Sequence, residues 1–384
     1  MPPPKIFIIA CEPSGDTHGA HLVEALKQTS PEIEFFGLGG PKMQNAGVTL
    51  LEDMTRFSAL GLGDVLRQYF RYREVFYRAL ARLKAFAPDT VILIDSPGFN
   101  LRFAKKLKKR YRVVYYISPQ IWAWGGRRIK TIKNTVHKML VILPFEVGVY
   151  QSAGIPCEFV GHPLLDEISV SVPREGMRRE WKIDAETKAI GLLPGSRESE
   201  VCRILPAMME TALELLKKGG CFKFFVTRSS NVAREVYQEI FARYPTLNPV
   251  LTETRFHDHL AAFDFALIAS GTTTLEAAIL STPFFLLYKA SWTTYVIGRR
   301  LIRVSYLGLV NLLAKKSVVP EFIQGGMKPA LIAGEAMRLL NDPARYEAMK
   351  TQFAEIKKLL GNQGAGKRAA DAILKEIALC PTAA

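Results

Sequence analysis

The chain has 384 residues, 48% of them hydrophobic and 23% charged, with a net charge of +15. These proportions exclude a disordered or fibrous protein, and the length suits two domains of about 150 residues or more. No run of about 18 apolar residues occurs, so no spanning helix is expected. The five cysteines, at 11, 157, 202, 221 and 380, form no Cys-x-x-Cys pair and fit a reducing compartment, without a metal site.

In chain order, short apolar runs alternate with amphipathic stretches, the pattern of α/β proteins with parallel sheets. The first half predicts strands near 5–10, 33–37, 90–94, 112–117, 138–142 and 157–160. Helices are predicted between them, near 18–29, 64–86, 99–110, 125–135 and 144–153. A polar, charged region over 163–187 reads as the domain boundary. The rhythm then restarts, with strands near 188–193, 222–227, 249–252, 265–269 and 283–287. Their helices fall near 200–218, 231–243, 256–262 and 272–280, and three more follow at 328–341, 343–360 and 365–379. Ile6–Ala10 is too short for a signal-peptide core, so a cytosolic protein is expected. Two doubly wound domains in tandem imply a cleft lined by the loops that follow strands.

Those loops hold the candidate chemistry. Glu12, Ser14 and Asp16 follow the first strand; Ser14 or Asp16 can cap the next helix, whereas a charge at Glu12 is harder to explain that way. Asp95 directly follows Val91–Ile94, and beside an apolar wall its carboxyl can serve as a general base. A capping role for the helix near Phe99 is the competing reading. Trp122 and Trp124 share a loop and either pack between domains or line a substrate site. His162 follows the last strand of the first half, where a structural hydrogen bond is the commoner use. In the second half, Ser196 and Arg197 form an anion site after a strand. Ser270, Gly271, Thr272 and Thr273 lie where a strand turns into a helix, and Glu276 is one turn further on. A phosphate suits that helix start and ribose hydroxyls suit Glu276, while a Thr273–Glu276 capping box is the alternative. Gly361–Lys367 has the spacing of a phosphate-binding loop, but Arg368 replaces the needed hydroxyl residue and a helix precedes it. No Asp-x-Asp pair is present to hold a metal–diphosphate complex.

The positive charge is clustered. Leu101–Arg112 carries seven basic residues and no acid. The stretches 66–86 and 291–316 mix Arg and Lys with Tyr, Phe and Trp, which suits an anionic membrane interface or, alternatively, a core stripe with a solvated cationic face. No nucleic-acid-binding module is recognisable.

Eight motifs, in order, resemble the lipid-A-disaccharide synthase family across essentially the whole chain. They are Cys11-Glu-Pro-Ser-Gly-Asp16, Gly37-Leu-Gly-Gly-Pro-Lys-Met43, Ile94-Asp-Ser-Pro-Gly-Phe-Asn100, Ser118-Pro-Gln-Ile-Trp-Ala-Trp124, Pro144-Phe-Glu146, Val160-Gly-His-Pro163, Leu193-Pro-Gly-Ser-Arg197 and Ala269-Ser-Gly-Thr-Thr-Thr-Leu-Glu276. The resemblance implies a GT-B fold of two Rossmann-like domains facing across a cleft. Its domains would be an acceptor- and lipid-binding domain over 1–165, a UDP-sugar domain over 166–345, and helices over 346–384 that cross back to the first. It implies an inverting, metal-independent transfer with no cofactor. The donor would be UDP-2,3-diacylglucosamine and the acceptor 2,3-diacylglucosamine 1-phosphate. By the same resemblance Asp95 is catalytic, Arg197, Glu276 and Asn311 lie on the nucleotide side, and oligomers are possible. The family pattern has Gly at the position of Cys11 and a second Asp at that of Gly98. The expected location is the inner face of the inner membrane, bound peripherally. A UDP-N-acetylglucosamine 2-epimerase-like enzyme and a non-catalytic lipid-binding protein are the alternatives.

Overall fold

The structure, a computed structural model, describes residues 3–56, 65–123, 125–292, 295, 296, 298 and 304–378, with the backbone alone at 65–69. The chain divides into two units, Met1–Asp166 with Leu360–Ala384, and Glu167–Leu359.

The first unit is built on seven strands: β1 Lys5–Ala10, β2 Glu34–Gly39, β3 Thr49–Asp53, β4 Thr90–Ile94, β5 Arg112–Tyr116, β6 Lys138–Val141 and β7 Cys157–Phe159. They pair in parallel in the order β3-β2-β1-β4-β5-β6-β7. Alternate residues serve opposite faces, as strand geometry requires. Phe7, Ile9, Val91, Leu93, Val113 and Tyr115 enter one core, under the helices Val65–Phe86, Pro97–Leu107 and Arg128–Thr135. Ile6, Ile8, Ile92, Ile94, Val114 and Tyr116 enter the other, under Pro13–Thr29 and Ala365–Ala378. Because both faces are covered, the strands read as unbroken apolar runs.

The second unit has six strands: β8 Lys188–Leu193, β9 Phe222–Thr227, β10 Val250–Thr252, β11 Phe265–Ala269, β12 Phe284–Tyr288 and β13 Glu321–Ile323. Their order is β10-β9-β8-β11-β12-β13, again all parallel. In each sheet the strand order therefore reverses once, between β1 and β4 in the first and between β8 and β11 in the second. Ligands of doubly wound sheets bind beyond the carboxyl ends of the strands at such reversals. The two sheets, each flanked by helices, are the Rossmann-like pair of a GT-B fold.

The polar stretch 163–187 contains the helix Arg174–Glu180, whose Arg174 and Arg178 pair with Asp264 at 2.6 and 3.1 Å. Those charges pin the helix to the start of β11. Near the C-terminus, Pro343–Leu359 packs on Thr273–Ile279 and Leu309–Ala314 within the second unit. Ala365–Ala378 packs on Pro13–Thr29 in the first. The Gly-rich stretch 361–367 is a turn, not a phosphate loop. Asp166 accepts hydrogen bonds from the Gly364 and Ala365 amides at 2.5 and 2.9 Å, and Arg368 donates to the Asn362, Gln363 and Val160 carbonyls.

Candidate functional site

In the first unit, the loops after β1 and β4 flank the sheet reversal and bring Glu12 and Asp95 together. The helix after β1 starts at Pro13, since proline is pre-set for a first helical turn, and Glu12 is its exposed N-cap residue with no side-chain capping bond. Ser14 lies inside that helix and is exposed. Asp16 is buried and accepts backbone N–H from Gly40, Lys42 and Met43 at 2.8, 3.1 and 3.0 Å. Its carboxylate thus caps the short helix Pro41–Asn45 and holds the loop after β2.

Asp95 and Ser96 both take left-handed backbone conformations, with φ of 45° and 43°. Non-glycine residues hold that region only where surroundings enforce it. Here the Asn100 side chain donates to the Ile94 and Asp95 carbonyls at 2.9 and 2.8 Å, and the Tyr115 hydroxyl donates to the Asp95 carbonyl. The Asp95 amide donates to Tyr116 on the neighbouring strand. The next helix starts at Pro97 with Ser96 as N-cap, so Asp95 is not its cap. Burial, then the Glu12 charge, push the Asp95 carboxyl up to about 6, against the opposing pull of the Ser96 amide and of His18. Ser96 also donates to Glu12 at 3.5 Å. The Cys11 thiol beside them is pushed up by burial first and then by both carboxylates. The position of Gly98 opens on free space.

Next to this loop, Ile117 directly follows β5 at φ 62°, an unusual conformation for a β-branched residue. The following segment is held by a carboxylate that sequence reasoning did not single out. Glu146 is 1% exposed and accepts from the Ser118 hydroxyl at 2.7 Å, the Trp122 indole at 2.9 Å and the Leu143 amide at 3.2 Å. Burial pushes its carboxyl up to about 7 despite those donors. The motif around Pro144 was its only signal in the sequence. Trp122 is half-buried and meets Phe145 edge-on at 5.0 Å, while Trp124 lies outside the described residues. His162 is buried; its Nδ1 accepts from the Leu164 amide, and its own amide donates to Leu360.

In the second unit, the loops after β8 and β11 flank the other reversal. Gly195, at φ 111°, turns the chain so that Arg197 becomes the N-cap residue of Glu198–Lys217. Arg197 is largely exposed and pairs with Glu200 at 3.1 Å, while the other Glu200 oxygen takes the Ser196 and Arg197 amides. Past β11, Ser270 is half-buried, Gly271 and Thr272 are exposed, and Thr273 opens the helix Thr273–Ile279. No Thr273–Glu276 capping box forms. Glu276 instead meets His257 Nε2 at 3.4 Å, and His257 Nδ1 accepts the Ser169 amide at 3.5 Å. His257 was not anticipated; it lies in the first turn of the helix Phe256–Ala262. The resemblance puts Asn311 on the nucleotide side, but its amide is fully engaged inside the unit. It donates to Val319 and Glu321 and accepts from the Val318 and Val319 amides. Four bonds exhaust an amide side chain, so Asn311 has none left for a ligand.

The aromatic, basic helix Val65–Phe86 divides its rings. Tyr72 and Phe76 pack on Phe99 at 6.3 and 5.3 Å, whereas Phe70 and Tyr77 are 62% and 51% exposed. Trp292 is 76% exposed. Arg299, Arg300 and Arg303 lie outside the described residues.

The family profile described as lipid-A-disaccharide synthetase matches residues 6–377. The lipid-A-disaccharide synthase of Trichlorobacter lovleyi is 39% identical over 376 residues, 98% of this chain and 98% of that protein. That of Syntrophus aciditrophicus is 40% identical over 367 residues, covering 95% and 96%. Among solved structures, the calicheamicin glycosyltransferase CalG4 is similar with a TM-score of 0.61 at 13% identity, over 99% of this chain and 100% of that one, a likeness of fold. With matches of this identity spanning nearly its full length, the chain belongs to the lipid-A-disaccharide synthase family.

Proposed function

We propose that the chain transfers 2,3-diacylglucosamine from UDP-2,3-diacylglucosamine to the 6-hydroxyl of 2,3-diacylglucosamine 1-phosphate, with inversion. The acceptor oxygen bonds to the anomeric carbon, the bond from that carbon to the diphosphate breaks, and UDP leaves with the electron pair. Asp95 takes the hydroxyl proton. The observation that carries this reading is the Asp95 carboxylate at the reversal of the first sheet. It sits on an enforced left-handed turn, does not cap a helix, and has a carboxyl pushed up to about 6. A base in that range is ionised at neutral pH yet still takes up a proton readily.

Arg197 and the Ser270–Thr273 turn stand at the reversal of the second sheet, where they would meet the diphosphate. Glu276 would accept the ribose hydroxyls, with His257 beside it. Without an Asp-x-Asp pair, arginine and backbone amides neutralise the leaving group. Family membership favours transfer over 2-epimerisation or simple lipid binding. Among the described residues no helix is long and apolar enough to cross a membrane. The exposed Phe70, Tyr77 and Trp292, with the basic helices, would hold the protein peripherally on an anionic bilayer, where both acylated substrates reside. Incubating the purified chain with both substrates tests the reading: release of UDP in step with a tetraacyl disaccharide 1-phosphate is expected. UDP formed without disaccharide, or neither product, would refute it.

A further inference from the structure

Glu146 is a buried titratable group that the reaction just described does not use. It sits at the start of the helix Glu146–Gln151, after β6. One turn along the same helix, the Tyr150 hydroxyl donates to the Pro119 carbonyl at 3.0 Å. Residues four apart share a helix face. Two side chains of one short helix therefore grip Ser118, Pro119 and Trp122, all in the loop that leaves β5. That loop begins at the left-handed Ile117 and adjoins the left-handed Asp95–Ser96 turn, joined to it by the Asp95–Tyr116 bond. Backbone held in such conformations at adjoining strand ends marks a place where geometry is imposed.

The chemistry of the grip is also specific. Every group aimed at Glu146 is a donor: a hydroxyl, an indole N–H and a backbone N–H. A carboxylate accepts all of them, whereas an amide would turn its own N–H toward a donor. A buried carboxyl held only by neutral donors is a costly way to stabilise a fold, since apolar packing does it more cheaply. What the carboxyl provides is direction, because its bond to the indole N–H fixes where the Trp122 ring points.

We infer that Glu146 is a positioning residue, which locks the Trp122 ring as a fixed wall of the acceptor side of the site and makes the loop 118–123 a rigid template for the sugar. This rests on reading the first unit as the acceptor domain. Glu146 touches no substrate and acts through Trp122.

The test is steady-state kinetics of the full chain and of Glu146→Gln, Trp122→Phe, their double variant and Trp122→Ala. Glu146→Gln is expected to lower kcat/KM for the acceptor by roughly 10–10²-fold, the effect of a small misplacement, with KM for the donor unchanged. Trp122→Phe keeps a ring but removes the donor to Glu146, so it should shift the same parameter in the same direction. The double variant should be no worse than the worse single one, since both changes break one contact. Losses that multiply in the double variant, or a donor KM that rises with the acceptor KM, would overturn the inference. So would a Trp122→Ala protein with wild-type acceptor kinetics, an arm that does not depend on Glu146→Gln folding. The wild-type turnover tests the reaction, and the ratio of variant to wild type tests this inference.

Discussion

Asp95 and Glu12 divide one electrostatic task. Burial alone raises the Asp95 carboxyl, and the neighbouring Glu12 charge raises it further. Asp95→Asn keeps the shape and removes the base, so turnover should fall by at least about 10²-fold, measured on protein whose melting temperature is unchanged. Glu12→Gln should act differently. The base must be ionised, so activity is lost as pH falls through about 6 in the wild type. Without the Glu12 charge, Asp95 keeps its own charge to lower pH, and the acid limb of kcat/KM should move down. Burial is the larger cause, so it should stop short of an ordinary Asp value. An acid limb that stays in place in Glu12→Gln would assign it to another group. At this scale the sequence was legible where a carboxylate directly follows a strand. It was less so for Asp16 and Asn311, whose polar groups are taken up by backbone amides contributed by loops 24 to 27 and 7 to 8 residues away. Glu146 showed only through the Pro144-Phe-Glu146 motif, because the side-chain donors that give it meaning arrive from a different strand end.

At the scale of elements, the long runs were readable and the short ones were not. β1, β8, β9 and β11 carry enough consecutive apolar residues for their bounds to be predicted from composition alone. β3 and β13 were not anticipated: they are edge strands at the ends of their sheets, half-exposed or short, so no continuous apolar run marks them. The helix Arg174–Glu180 hid in a charged stretch because two of its arginines, Arg174 and Arg178, pair with Asp264 while Arg179 stays exposed. The start of Glu198–Lys217 supports a further prediction. Arg197 is largely exposed and its side chain pairs, among the described residues, with the half-buried Glu200, a contact worth little at such exposure, so turning it toward a diphosphate costs little. Arg197→Ala should weaken UDP binding by roughly 1.5 kcal/mol, the low end for a bond to a charged group, because solvent screens it. Glu276→Ala should weaken it as well, through the ribose. Calorimetry giving wild-type affinity in both variants would place the nucleotide elsewhere.

For the molecule as a whole, the excess charge is unevenly distributed. From Ser96 to Phe145 the chain contains no carboxylate. The helices Pro97–Leu107 and Arg128–Thr135, which fall in this stretch, pack against each other, and Arg102, Lys105, Lys106, Lys130 and Lys133 are exposed on them. Each basic residue near an anionic bilayer adds about 1 kcal/mol, and salt screens the attraction. The protein should therefore co-sediment with vesicles rich in anionic lipid and come off as salt rises. Reversing Lys105, Lys106 and Lys130 to Glu should reduce that binding while leaving UDP affinity intact. Equal sedimentation with neutral and anionic vesicles, at low and high salt, would make the charge a solvated face only.

The return of the helix Ala365–Ala378 to the first unit also sets an order of events during synthesis. The second unit is contiguous in the chain, so all its parts have emerged once Leu359 has. The first unit is begun earlier but is completed later. Until Ala369, Ala370, Ala372 and Ile373 arrive, one face of its sheet lacks part of its cover. A ribosome that stalls or terminates shortly before that helix would thus release a chain with a finished second half and an unfinished first half. Its exposed apolar groove would be a target for chaperones and proteases.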